Sequence, residues 1–202
     1  MTQSERSKPF ISAVVPAMNS AGTIVDCIES IKKCEYPTFE IIVVDGQSKD
    51  VTVQLARGAG AKVVIGDGLG RAHDLNLGIR HARGEIVAIT DDDCIVDKQW
   101  LEKIQGCFHD PHVGFAGGPS ITSFVRGSRI ERVAGHIHDF IRLLATKHHE
   151  DSVIGCNCAY RRGVLAKIGG FNEDILFAGE DTELNARVLA NGYKARYNPE
   201  CI

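Results

Sequence analysis

The stretch "GEIVAITDDDCIVDKQW", Gly84 to Trp100, runs from an apolar segment into three consecutive carboxylates, Asp91, Asp92 and Asp93, and then into a new helical pattern. Ile86 to Thr90 reads as a buried strand, and Trp100, Leu101 and Ile104 follow at helical spacing. Like charges placed side by side repel and resist burial, so the end of a core strand suits them only if something cationic sits there. The same β-then-α unit occurs three times upstream. "ISAVV" (Ile11 to Val15) reads as a strand stopped by Pro16, and Ile24, Cys27, Ile28 and Ile31 line one helical face after it. "EIIVV" (Glu40 to Val44) precedes "DGQSKD", where Asp50 is expected to cap a helix through "VTVQLAR". "AKVVI" leads through "GDGLGR" into a helix from Ala72 to Ala82. Four such units predict an α/β fold with a Rossmann-like, mostly parallel sheet flanked by helices.

Right-handed crossovers put the C-terminal ends of parallel strands along one edge, and ligands bind in the crevice outside it. That edge would collect Pro16 to Asn19, Asp45, Gly66 to Arg71, and Asp91 to Asp93. Beyond Val113 the alternation breaks down. "VGFAGGPSITSF", "SVIGCNCAY" and "YKARYN" read as further strands, and helices are expected over Arg129 to Thr146 and at "EDTELNARVLANG". This second part is expected to be a smaller, mixed subregion laid against the sheet, within one domain spanning residues 1–202 and divided near residue 112.

Composition excludes several classes. With 44% hydrophobic residues, 24% charged residues and a net charge of −3 over 202 residues, the chain is neither disordered nor a basic nucleic-acid binder. The start "MTQSERSKPF" has no secretory apolar core, and no later run reaches the roughly 18 to 20 apolar residues that span a bilayer. A cytoplasmic location is expected, extending to the cytoplasmic face of a membrane if the basic Arg129, Arg132, Arg142 and Lys147 meet lipid rather than pack. Seven scattered cysteines are not a disulfide framework, and neither Cys156 with Cys158 nor His148 with His149 has zinc-site spacing.

Carboxylates beside a Gly-rich turn bearing Arg71 suit a divalent cation bridging a phosphorylated ligand, because hard oxygen donors select Mg²⁺, Mn²⁺ or Ca²⁺. A calcium loop starting at Asp91 fails, since Ile95 and Val96 occupy the ligand and glycine positions it needs. A solvated acidic turn stays open on spacing alone.

Taken in order, several segments resemble the family 2 glycosyltransferases of the GT-A fold, over Ile11 to Tyr197. "AVVPAMNSAGTI" and "IIVVDGQSKDVT" are similar to the family's first two strands and turns. "LNLGIRHARGEIVAITDDD" is similar to the helix and strand leading to its DxD motif, and "IGCNCAYRRGVLAKIGGFNEDILFAGEDTELNARVLANGYK" to the acceptor-side segment ending in its ED motif. The resemblance implies that Asp45 contacts the nucleotide base, above a turn carrying Pro16. It implies that Asp91 and Asp93 bind metal, ribose and diphosphate, with Asp92 able to share either role, and that Arg71 lies near the diphosphate. Asp181 would be the catalytic base, with Glu180 beside it and partial burial making it a better one. The implied cofactor is Mn²⁺ or Mg²⁺. The implied partners are a UDP- or GDP-sugar and an acceptor glycan or lipid-linked sugar, with inversion at the anomeric carbon.

Three departures stand out. Met18 replaces a frequent base-stacking aromatic, and Leu75 in "DLN" replaces a frequent Arg. No later Q/RxxRW helix follows, so a catalytic domain continuing past Ile202, with or without membrane helices, is expected. Alternatives are a non-catalytic nucleotide-sugar-binding module or a sugar nucleotidyltransferase, although the latter needs a basic loop and Pro16 to Ile31 contains no Lys or Arg. A dinucleotide site would want its glycines after strand 1, not after strand 3. Glu180 and Asp181 could also do no more than favour a helix N-terminus.

Overall fold

A computed structural model describes residues 8–121, 153, 155–176 and 178–202. Strands β1 (Ile11–Ala17), β2 (Phe39–Asp45), β3 (Lys62–Ile65) and β4 (Ile86–Thr90) alternate with helices α1 (Ile24–Lys32), α2 (Thr52–Gly58), α3 (Arg71–His81) and α4 (Trp100–Cys107). They are followed by β5 (Val113–Gly117), β6 (Asn157–Arg161), α5 (Arg162–Ile168), α6 (Glu180–Ala190) and β7 (Lys194–Tyr197). All seven strands form one sheet in the order β3-β2-β1-β4-β6-β5-β7. The first four are mutually parallel, β6 runs antiparallel to β4 and β5, and β7 is parallel to β5.

Period-two alternation along these strands builds a core on each face. Ala13, Val15, Val43 and Ala88 point to one side, where α1, α2 and α4 contribute Ile28, Ala56 and Trp100. Val14, Val44 and Ile89 point to the other, against Leu75 of α3, Leu165 of α5 and Leu184 of α6. Gly78 lets α3 lie close to the sheet: a Cβ there would come within 2.5 Å of Val14 Cγ1 and 3.1 Å of Val44 Cγ2.

The structure corrects three expectations. The strands after Val113 extend the sheet edge-on from β4 instead of lying against it, because Thr90 pairs with Asn157 and Ile86 with Arg161. Pro16 does not end β1, which continues to Ala17. Pairing with β4 stops at Val14, so the missing N–H of Pro16 falls where the strand has β2 as its one neighbour. Asp50 lies one residue before the helix cap, Val51, and anchors the turn by accepting from Thr52 N at 3.0 Å and Ala21 N at 3.1 Å. The helix expected over Arg129 to Thr146 and the pair His148 and His149 lie outside the described residues.

Candidate functional site

The register places the ends of β1, β2 and β3 level, with Ala17 beside Asp45 and Asp45 beside Ile65. Antiparallel β6 starts at the same edge, opposite Thr90, so Gly155 and Cys156 arrive next to the β4 loop. Side chains lace the loops together. Ser48 Oγ accepts from Asn19 N at 2.8 Å, Asn19 Oδ1 accepts from Lys49 N at 2.8 Å, and Gln47 Nε2 donates to Gly66 O at 2.6 Å. Asn19 and Gln47 hold φ of 56° and 71°, strained for non-glycine residues and concentrated at this edge.

Arg71, the first residue of α3, joins the two halves of the chain. Its Nη2 donates to Asp91 Oδ1 at 2.5 Å and its Nε to Glu180 Oε1 at 2.9 Å. Burial opposes the charge on Arg71, but Asp91 and Glu180 outweigh it and raise its affinity for the proton. A planar guanidinium can engage two carboxylates at fixed angles, which a lysine cannot. Glu180 is 7% exposed and turned to Arg71, while Asp181 is only half-buried. Asp181 Oδ2 accepts from Gly155 N at 2.7 Å and its Oδ1 from Thr182 N at 2.7 Å, which fixes the orientation of the carboxylate.

The three aspartates after β4 diverge. Asp91 meets Arg71. Asp92 accepts from Ser20 Oγ, which itself accepts from Met18 N at 3.2 Å, tying the β4 loop to the β1 loop, and burial raises the Asp92 pKa against the Ser20 and Met18 donors. Asp93 is exposed, and its carboxylate meets the Cys94 thiol at 3.8 Å. Beneath them Cys27 Sγ donates to Asp91 O at 3.3 Å, and burial followed by the three carboxylates pushes its thiol up to about 12.

On the β2 side, Asp45 is 2% exposed; its Oδ2 accepts from Ser48 N at 3.0 Å, and its Oδ1 has no partner among the described residues. Pro16 is buried opposite Val44, one residue before that carboxylate in the register. Thus Asp45 and Pro16 stand at one end of the edge, and Arg71, Asp91, Glu180 and Asp181 gather around the β4 end.

Four features were not anticipated from the sequence. One is the Arg71 bridge to Glu180, for which the only signal was a lone basic residue opening a helix. A second is the Ser20 contact to Asp92. A third is the meeting of Cys94 with Cys156, whose thiol, ahead of burial, pushes the Cys94 thiol far up. The last is Asp74, 6% exposed, whose carboxyl burial raises to about 6, partly offset by His73 and reinforced by Asp67 and Asp45. An aspartate directly before "LN" in "DLN" was the available signal for it.

Comparison with known proteins gives a consistent result. The family model described as Glycosyl transferase family 2 matches residues 12–169. Glycosyltransferase AglE of Haloferax volcanii is 26% identical over 96% of the chain and 66% of its own length. Probable glycosyltransferase YdaM of Bacillus subtilis is 27% identical over 96% of the chain and 50% of its own length. Among solved structures, the mannosyltransferase PcManGT of Pyrobaculum calidifontis, in complex with GDP-Man and Mn²⁺, superposes with a TM-score of 0.78 at 26% identity, covering 97% of this chain and 56% of that one. The S. aureus TarS 1-349 structure shares the fold, with a TM-score of 0.73 at 21% identity over 94% of this chain and 58% of that one. The chain therefore spans about half to two thirds of the length of these relatives.

Proposed function

Because the chain belongs to glycosyl transferase family 2, we propose that it moves a sugar from a nucleoside-diphosphate donor to an acceptor hydroxyl, with a divalent cation and with inversion at the anomeric carbon. The observation that carries this reading is the Arg71 bridge, which sets a cation between the acidic loop after β4 and the acidic start of α6. A donor's diphosphate needs positive charge beside its metal ligands, and an acceptor needs a base on the other side of the reacting carbon.

In this mechanism Asp45 takes a base N–H on Oδ1, which has no partner among the described residues, above Pro16. Asp91 and Asp93 would hold Mn²⁺ or Mg²⁺, with Asp92 keeping their loop against Ser20. The residues fit such an ion: they offer hard oxygens, Asp93 is exposed, and Mg²⁺ commonly takes one or two protein carboxylates plus phosphate oxygens. The bound ion would supply charge neutralisation of the departing diphosphate. Arg71 adds to it, held in place by Glu180. The acceptor oxygen bonds to the anomeric carbon as the bond from that carbon to the diphosphate oxygen breaks. The hydroxyl proton passes to Asp181 and the bonding electrons leave with the nucleoside diphosphate. Displacement in one step from the opposite face inverts the configuration.

UDP- and GDP-sugars are the donor classes, with GDP-mannose and Mn²⁺ in the Pyrobaculum relative supporting the choice of a nucleotide sugar and a divalent ion. A glycan or lipid-linked sugar is the acceptor class. The reaction would run in the cytoplasm or at the cytoplasmic face of a membrane, where the basic residues between Arg129 and Lys147 could contact lipid. Calorimetric titration of UDP, GDP and their sugar conjugates, with and without Mn²⁺, tests the donor half. Metal-dependent binding of one nucleotide, abolished by Asp93→Ala, is expected; no nucleotide binding by the folded chain would overturn it.

A further inference from the structure

Away from the carboxylates after β4, a second cluster gathers at the β3–α3 turn. Asp67 follows β3, and His73 and Asp74 lie in the first turn of α3. One potential ligand atom from each lies within 4.8 Å of the others, and His73 Nδ1 is 3.0 Å from Asp67 Oδ1. Acidic residues at a helix start are ordinary, because the helix dipole favours them. What the dipole does not explain is Asp74, 94% buried by its 6% exposure, with Oδ1 lacking any partner among the described residues. The buried His73 Nδ1 also lacks a hydrogen bond of acceptable geometry there, despite its proximity to Asp67. A buried carboxylate oxygen without a donor is costly unless a charge completes it.

The backbone is shaped around this carboxylate. A Cβ on Gly66 would collide with Asp74 Oδ1, and one on Gly46 would sit 2.8 Å from Oδ2. Both strand-end glycines thus leave the space Asp74 fills. Asp45, whose Oδ1 has no partner among the described residues, lies one residue from Gly46 and adds further negative potential.

We propose that Asp67, His73 and Asp74 form a second divalent-cation site, distinct from Asp91 to Asp93, that takes a borderline ion such as Zn²⁺ through one imidazole nitrogen and two carboxylate oxygens. Mixed nitrogen and oxygen donors suit Zn²⁺ better than Mg²⁺ or Ca²⁺, and three protein ligands leave a position for water. An ion there would fasten the 66–70 loop to α3 three residues from Arg71, so it would stiffen the mount of the Arg71 bridge. None of its three ligands is a residue proposed for the sugar transfer, so its occupancy can be measured apart from that reaction.

Equilibrium dialysis of the chelator-stripped chain against Zn²⁺, and titration with Co²⁺ read by visible absorption, test the site. The double variant Asp91→Asn/Asp93→Asn is used as the background, to remove the other set of carboxylates. About one ion per chain should bind, with Co²⁺ showing the d–d bands of a four- or five-coordinate site and no thiolate charge-transfer band. His73→Ala and, separately, the exposed-loop variant Asp67→Asn should each weaken binding by about ten-fold or more. No ion bound in the double variant, affinity untouched by Asp67→Asn in folded protein, or a strong thiolate band would each overturn the proposal, the last by assigning the ion to cysteines. Absence of nucleotide binding by the native chain with this ion still bound would instead count against the donor site alone.

Discussion

At the scale of single residues, the decisive group is Arg71. Replacing it with Ala leaves Glu180, 7% exposed, without its cation, and breaking a buried pair from one side costs on the order of 3 kcal/mol. Chemical denaturation of Arg71→Ala should register that loss, and transfer should fall by about 10²-fold or more if the guanidinium stabilises the leaving group. Arg71→Lys should recover stability better than activity, since one ammonium does not reproduce the two-carboxylate fork. Asp74 makes the opposite kind of prediction. Its pKa in the folded, metal-free chain, about 6, lies above the unfolded value, so between about pH 4 and 6 the folded state binds more protons and stability declines as pH rises. Above that window the penalty is complete. Asp74→Asn should therefore flatten the pH profile of denaturant midpoints and raise metal-free stability near neutrality by roughly 1 to 2 kcal/mol. An unchanged profile would place the titration elsewhere. The acidic triplet could be picked out because like charges at the end of a core strand call for a cation, and the "AGEDTEL" pair because of the family resemblance, with a helix-start role open beside it. The partner of each could not, since Arg71 and Glu180 are 109 positions apart and no local spacing announces their contact.

Among elements, α3 matters most. It carries Arg71 at its start, packs on β1 and β2 through Gly78, and holds the α5–α6 connection through Asn76. The Asn76 amide pairs with both backbone groups of Phe171, accepting from its N at 2.8 Å and donating to its O at 2.9 Å. Gly78→Ala should force α3 off the sheet, costing about 1 to 3 kcal/mol in equilibrium unfolding and shifting Arg71 enough to weaken nucleotide affinity. Full stability in that variant would show that the helix can slide without strain. The first four strand-helix units were legible because short apolar runs, buried on both faces of the sheet, alternate with segments whose apolar residues recur at helical spacing. β6 was harder to place. "GCNCAY" reads as a strand, but a strand's direction and neighbours are set by tertiary pairing, and antiparallel docking on β4 is what turned an expected separate layer into an extension of the sheet.

For the whole molecule, one sheet carries both the groups proposed to meet the donor and those proposed to meet the acceptor, and Asn157 fastens its far half. Asn157 Oδ1 accepts from Trp100 Nε1 at 2.8 Å, and its Nδ2 donates to Pro119 O at 2.8 Å and Cys201 O at 2.7 Å. This buried amide ties α4, the segment after β5 and the last residues to the start of β6. Asn157→Ala would strand these partners and should lower unfolding stability by about 2 to 4 kcal/mol, seen as a lower denaturant midpoint. The central claim concerns the chemistry at that shared edge. Its most direct test is release of nucleoside diphosphate from UDP- and GDP-sugars, with glycan and lipid-linked acceptors, by the native chain and by Asp181→Asn. The account predicts that one donor is turned over with Mn²⁺ present, and that Asp181→Asn retains nucleotide affinity while turnover drops by about 10²- to 10⁴-fold. Turnover by Asp181→Asn equal to that of the native chain would contradict the assignment of the base. With nucleotide bound, the absence of turnover by the native chain would contradict the transferase reading itself.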